Sequence, residues 1–217
     1  MSRIRIEDVY LLPGLWMPRA TMGLLARRLS QLGYRTKAVG YPSVRGGLDE
    51  NADRVATALA QGGRRTCAIV AHSTGGIVAL RAALRAAGTT PARIVLLGTP
   101  FGDVYAARFL WHHRFWRRLI GRTIGDWVAA QARPVPPDIE VGVLAGDRRF
   151  GLGSVLVRDM PRPNDGVVTV AETRGPGMRD HRVMPVTHMA LVTDRRVCRE
   201  VAAFLATGRF LAPQAGP

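Results

Sequence analysis

A chain of 217 residues with 47% apolar side chains can bury one sizeable core, and a single domain over residues 1–212 is expected. The formal charge is +15, yet every basic residue except Lys37 is an arginine, scattered in pairs such as Arg27-Arg28 and Arg148-Arg149 that no nucleic-acid motif frames, so nucleic acid is not expected as a partner. Two distant cysteines in apolar surroundings, Cys67 and Cys198, exclude a disulfide framework; nothing implies a metal or cofactor; and with no signal-peptide pattern or membrane-length apolar run, a cytoplasmic protein is expected.

In chain order, Asp8–Leu12 is a short run of strand formers that Pro13-Gly14 ends abruptly. Met22, Leu25, Leu29 and Leu32 recur at three and four, which predicts a helix over 18–32 that Gly33 closes. Residues 34–40 read as a second strand, and Leu48, Ala52, Val55 and Leu59 form the stripe of a second helix. Residues 66–71 are apolar throughout, the pattern of a central parallel strand covered on both faces. A third helix runs to about Ala87, followed by strands at 93–97, 139–145 and 182–185 and an amphipathic helix over 194–206. Residues 213–217 are expected to be a disordered tail. The alternation predicts a three-layer α/β/α fold built on an open, mostly parallel six-stranded sheet. A segment at about 101–134 is too long for an ordinary crossover and has helical character of its own.

Ala68–Leu80 combines a strand, a sharp turn carrying one serine, and a helix, the mechanical form of a nucleophile elbow. Strand and helix pass closely in such a turn, so the residues two before and two after Ser73 must be small; Ala71 and Gly75 meet that demand. A serine hydroxyl is a weak nucleophile at neutral pH, so it needs a histidine to take its proton and a carboxylate to orient that histidine. His188 lies between the last strand and the final helix, where a base is needed, whereas His181 falls at the opposite sheet edge and His112 and His113 lie in the long segment. His72, beside the serine, is expected to point elsewhere. For the acid, Asp165 in Asn164-Asp165-Gly166-Val167-Val168 is the first choice and Asp147, directly after strand five, the alternative. The developing oxyanion needs donors: the backbone N–H of Thr74, at a helix start, and that of Leu15, in the loop after strand one.

The stretches Leu11-Leu12-Pro13-Gly14-Leu15, Ile69 to Gly76, Asn164 to Val168 and Val186-Thr187-His188 together resemble a small α/β hydrolase. In layout the chain is similar to compact bacterial lipases and GPI-inositol-deacylase-like esterases, from Val9 to Leu205. The resemblance implies an esterase or lipase with a Ser73–His188–Asp165 triad acting on a small apolar ester. It departs from the family at two places: Pro13-Gly14 stands where His-Gly is usual, and Ala71 where glycine is usual.

In the resembled family an insertion such as 101–134 caps the serine, which would make Phe101, Phe109, Trp111 and Trp116, with Trp16, substrate-binding residues. Rings and arginines also interleave there, as suits peripheral contact with an anionic membrane, and ordinary helix packing is the plainer reading. Two other functions fit the same residues: a hydrolase-like scaffold without turnover that binds anionic lipid or a protein through this segment, and an acyltransferase or thioesterase using the same triad.

Overall fold

A computed structural model describes residues 4–63, 66–86, 88–101, 114–129, 135, 137–150 and 159–212, with side chains of the helix at 114–129 described from 120 onward. Of the expected site and cap, Phe109, Trp111 and the side chain of Trp116 lie outside the described residues, as do most of the segment 101–134 and the tail 213–217.

Six strands form the sheet: β1 (Asp8–Leu12), β2 (Arg35–Ala38), β3 (Cys67–His72), β4 (Arg93–Leu97), β5 (Glu140–Gly146) and β6 (Asp180–Met184). Their spatial order is β2-β1-β3-β4-β5-β6, and all five pairings are parallel. The α-helices among the described residues are α1 (Gly23–Gln31), α2 (Leu48–Ala60), α3 (Thr74–Arg85), α4 (Arg114–Ala129) and α5 (Arg195–Thr207). The sixth strand begins earlier than expected, so His181 is its second residue rather than a residue before it.

Strand alternation sorts side chains cleanly between the two faces. Tyr10, Leu12, Ile69, Ala71, Ile94, Leu96, Val141 and Val143 pack under α2, α3 and α4, with Val55, Ile77, Ile124 and Trp127. Val9, Leu11, Ala68, Val70, Val95, Leu97 and Leu144 face α1 and α5, with Leu25, Leu29, Val197, Val201 and Phe204. Helices thus cover both faces, as the unbroken apolar strands require. Cys67 belongs to the first core and Cys198 to the second, and both thiols are free. Asp194 caps the final helix by accepting from the Arg196 N–H at 2.6 Å, and Gly208 ends it in the left-handed region (φ 73°).

No helix among the described residues is long and apolar enough to cross a membrane.

At the N-terminal edge of the sheet, Arg93 is buried (4% exposed) and ties three parts of the chain together. Its guanidinium donates to Glu140 at 2.6 Å, to the Leu205 carbonyl at 2.7 Å and to the Ile4 carbonyl at 3.3 Å. Glu140 keeps a second partner in Arg179 at 3.2 Å, so removing Arg93 orphans the two carbonyls more than the carboxylate. Replacing Arg93 with Met should therefore lower stability by about 2–3 kcal/mol in urea unfolding, the loss expected for buried acceptors left unpaired.

Candidate active site

The chain turns sharply between β3 and α3 at Ser73, whose backbone sits at φ 53°, ψ −127°, a region that non-glycine residues seldom occupy. Three hydrogen bonds hold the turn. The Ser73 N–H donates to the Leu97 carbonyl at 2.8 Å, and the Ser73 carbonyl accepts from the Gly76 N–H at 2.9 Å and from the Thr99 hydroxyl at 2.9 Å. The first turn of α3 then passes so close to the end of β1 that a Cβ on Gly75 would lie 2.5 Å from the Pro13 carbonyl oxygen. Ala71, two residues before the serine, is fully buried in the first core.

Parallel pairing brings the loops after β1, β3, β4, β5 and β6 to the same edge of the sheet. The loop after β1 runs directly against the serine: a Cβ on Gly14 would stand 3.1 Å from Ser73 Cβ. Leu15 follows, half-buried against the first core. Among the described residues, the backbone N–H groups of Leu15 and Thr74 donate to no protein acceptor, and Thr74 opens α3, where the helix dipole favours negative charge. Trp16 lies on the same loop with φ 60°, half-exposed, its N–H donating to Ser43 Oγ at 3.2 Å.

Asp165 and His188 meet at this edge. Asp165 sits in a tight turn whose Oδ1 accepts from the N–H groups of Val167 (2.9 Å) and Val168 (2.8 Å), while Oδ2 accepts from His188 Nδ1 at 2.6 Å. The His188 N–H also donates to the Asp165 carbonyl at 3.0 Å. Burial alone would raise the Asp165 carboxyl; the neighbouring His188 charge, the His188 hydrogen bond and the two backbone donors outweigh it and hold the group below the ordinary carboxylate range. An ionised carboxylate only accepts, so the bond assigns the proton to His188 Nδ1 and leaves Nε2 as the basic nitrogen. Gly98, in the left-handed region at φ 59°, makes this approach possible: a Cβ there would lie 3.0 Å from His188 Nδ1 and 3.1 Å from Asp165 Oδ2.

Asp147, the alternative acid, lies after β5 with its Oδ1 3.7 Å from Arg148 Nε, and no hydrogen bond joins it to His188 among the described residues. His181 is at the far end of β6, its Nε2 2.9 Å from Thr173 Oγ1. Phe101 is buried in the first core and lines a cavity of about 320 Å³ with Leu48, Ile77, Leu80 and Trp127, running along α3 away from Ser73. No group of three or more metal-ligating side chains occurs among the described residues.

One expectation fails. His72 does not point elsewhere: its Nε2 lies 3.0 Å from the His188 carbonyl oxygen, and the two rings are 4.5 Å apart between centroids. The sequence also gave no notice of Tyr41, whose hydroxyl donates to the Pro13 carbonyl at 2.6 Å. Tyr41, Ser43 and Thr99 all follow parallel strands at the serine's edge of the sheet, which is the signal that could have found them.

The sequence matches the alpha/beta hydrolase family over residues 9–215. No protein of curated function matches it. Among solved structures, the mature lipase BlEst2 of Bacillus licheniformis is similar at 18% identity and a TM-score of 0.76, covering 94% of this chain and 93% of its own. The metagenomic carboxyl esterase MGS0156 is 18% identical with a TM-score of 0.64, covering 95% of this chain and 74% of its own. The thioesterase RedJ from the prodiginine pathway of Streptomyces coelicolor is 17% identical with a TM-score of 0.63, covering 91% and 84%.

The lowered Asp165 carboxyl has a consequence for acid stability. A group held below its unfolded value contributes stability that is present above about pH 4 and is lost as pH falls toward the folded value. Unfolding midpoints in urea from about pH 6 down to about pH 3 should fall more steeply for wild type than for Asp165→Asn, which carries no such proton.

Proposed function

The chain belongs to the alpha/beta hydrolase family, and from that premise we propose that it is a serine hydrolase cleaving a carboxylic ester of an apolar substrate. The observation that carries this reading is the Asp165–His188 hydrogen bond of 2.6 Å at the same sheet edge as the strained Ser73 turn. Ser73 Oγ attacks the ester carbonyl while His188 Nε2 takes its proton; Asp165 holds the imidazole and stabilises its charge. The backbone N–H groups of Leu15 and Thr74 receive the oxyanion. Collapse expels the alcohol, protonated by His188, and water then hydrolyses the acyl-serine through the same base.

Trp16 and Met189, each about half exposed, stand on the loops that carry Leu15 and His188, which supports an apolar substrate. Between β4 and β5, the helix α4 packs on α2 and α3. Likeness of fold to a thioesterase supports a second reading, in which the same groups cleave an acyl thioester.

Wild-type protein should be labelled by a fluorophosphonate probe and Ser73→Ala should not. The same variant should lose at least a thousandfold in kcat on p-nitrophenyl esters, on the order seen when a nucleophile is removed. Asp165→Asn should lose roughly 10³–10⁴-fold while Asp147→Asn stays near wild type. Folded wild type that neither takes the probe nor cleaves any ester or acyl thioester of short or long chain would leave the scaffold-without-turnover reading instead.

A further inference from the structure

Among the described residues, His72 is a buried titratable side chain at this edge that the proposed reaction does not use. It is 1% exposed, and it precedes the nucleophile-bearing turn by a single residue. Its Nε2 is 3.0 Å from the His188 carbonyl oxygen, an atom that can only accept, so Nε2 carries the proton and donates it. Its Nδ1, also buried, has no hydrogen-bond partner among the described residues. That nitrogen faces the loop after β1, where a Cβ on Gly14 would approach it to 3.1 Å.

The ring is neutral in this arrangement. Burial and the adjacent positive charge of His188 push the His72 imidazolium down to about 3, against the opposing pull of its bond to the His188 carbonyl and of the Asp165 charge. A cation 4.5 Å from the ring that takes the serine's proton is thereby avoided.

His188 is consequently fastened at three atoms. Its Nδ1 and its backbone N–H are bound to Asp165, at 2.6 and 3.0 Å, and its carbonyl is bound to His72 at 3.0 Å. The first two bonds tie the histidine to the acid, and both move with the 164–168 turn. Only the third ties it to β3, the strand that delivers Ser73. Without it, nothing in this set fixes the distance from the base to the nucleophile.

We infer that His72 is a positioning residue: its Nε2–H anchors the His188 carbonyl to the strand carrying Ser73, fixing the base relative to that strand before substrate arrives. The inference rests on the Ser73–His188 reading above. Small displacements of a base from its nucleophile reduce rate far more than they reduce binding, so the effect belongs in kcat.

Two variants separate the hydrogen bond from the packing. His72→Phe keeps a ring against His188 and removes the donor; His72→Gln removes the ring and keeps an N–H near the Nε2 position. Steady-state kinetics on p-nitrophenyl butyrate, fluorophosphonate inactivation rates and thermal midpoints would be measured on all three proteins. His72→Phe should lose about ten- to a hundredfold in kcat and in inactivation rate with KM unchanged, whereas His72→Gln should keep about a third or more of kcat. If His72→Phe does not fold, His72→Leu takes its place with the same expectation. His72→Phe at full kcat, or His72→Gln falling as far as His72→Phe, overturns the role of His72 while leaving Ser73 and His188 in place. Wild type that takes no fluorophosphonate overturns the Ser73–His188 reading itself, and this role with it.

Discussion

The rest of the site depends on one backbone conformation, Ser73 at φ 53° and ψ −127°. A side chain in that region costs on the order of 1–3 kcal/mol, and it persists only where its surroundings over-determine it. Here the surroundings are specific. Leu97, the last residue of the neighbouring strand, and Thr99 just beyond it hold the serine's N–H and carbonyl. Gly75 lets α3 start against the Pro13 and Leu12 carbonyls, where a methyl would collide. The conformation ends β3 and opens α3 within one residue, so the serine stands at the strand's tip with a helix N-terminus behind it.

Topology places that tip where a crevice is unavoidable. The chain runs β1 to β2 on one side, then crosses back to lay β3 on the other side of β1. The loops after β1 and β3 therefore diverge at the point where strand order reverses, the general location of ligand sites in open α/β sheets. Gly14 and Leu15 occupy one side of that point and Ser73 and Thr74 the other. Asp165 and His188 reach it from β5 and β6, two and three strands away, which is why their loops must fold back. Gly98 and Gly146 clear the way: a Cβ on Gly146 would meet Asp165 Cβ at 2.8 Å and the Val186 carbonyl at 2.4 Å.

The central strands and the helices were legible in the sequence, because unbroken apolar runs and three-and-four spacings report burial directly, whereas the edge strands β2 and β6 carry no such run. The sequence favours Asp165 over Asp147 only through its turn dipeptide. Both follow β5, and chain length permits either; what separates them is the Asp165 turn, whose own N–H groups and whose contact with Gly98 aim one carboxylate oxygen at His188. Adjacency to the serine does not by itself place His72. Strand alternation puts it on the face of Ala68 and Val70, the second core, which also holds Val186 and Leu191 on either side of His188. The parity was in the sequence, but not the fact that the histidine loop packs on that face.

Pro13 is the sharpest departure from the resembled family, and the structure supplies its own means of holding the loop there. Proline fixes one dihedral and has no N–H to satisfy, while its carbonyl accepts from the Tyr41 hydroxyl at 2.6 Å. Burial raises that phenol well above its ordinary value, so it stays a donor throughout the working range of pH. Two residues on, Ser43 takes the N–H of Trp16, the residue directly after Leu15. The loop beside the serine is thus held by side chains that follow β2, just as the serine turn is held by Thr99, which follows β4. Each half of the crevice is braced from the strand outside it, and the groups that would receive an oxyanion are left on the inner side of both braces.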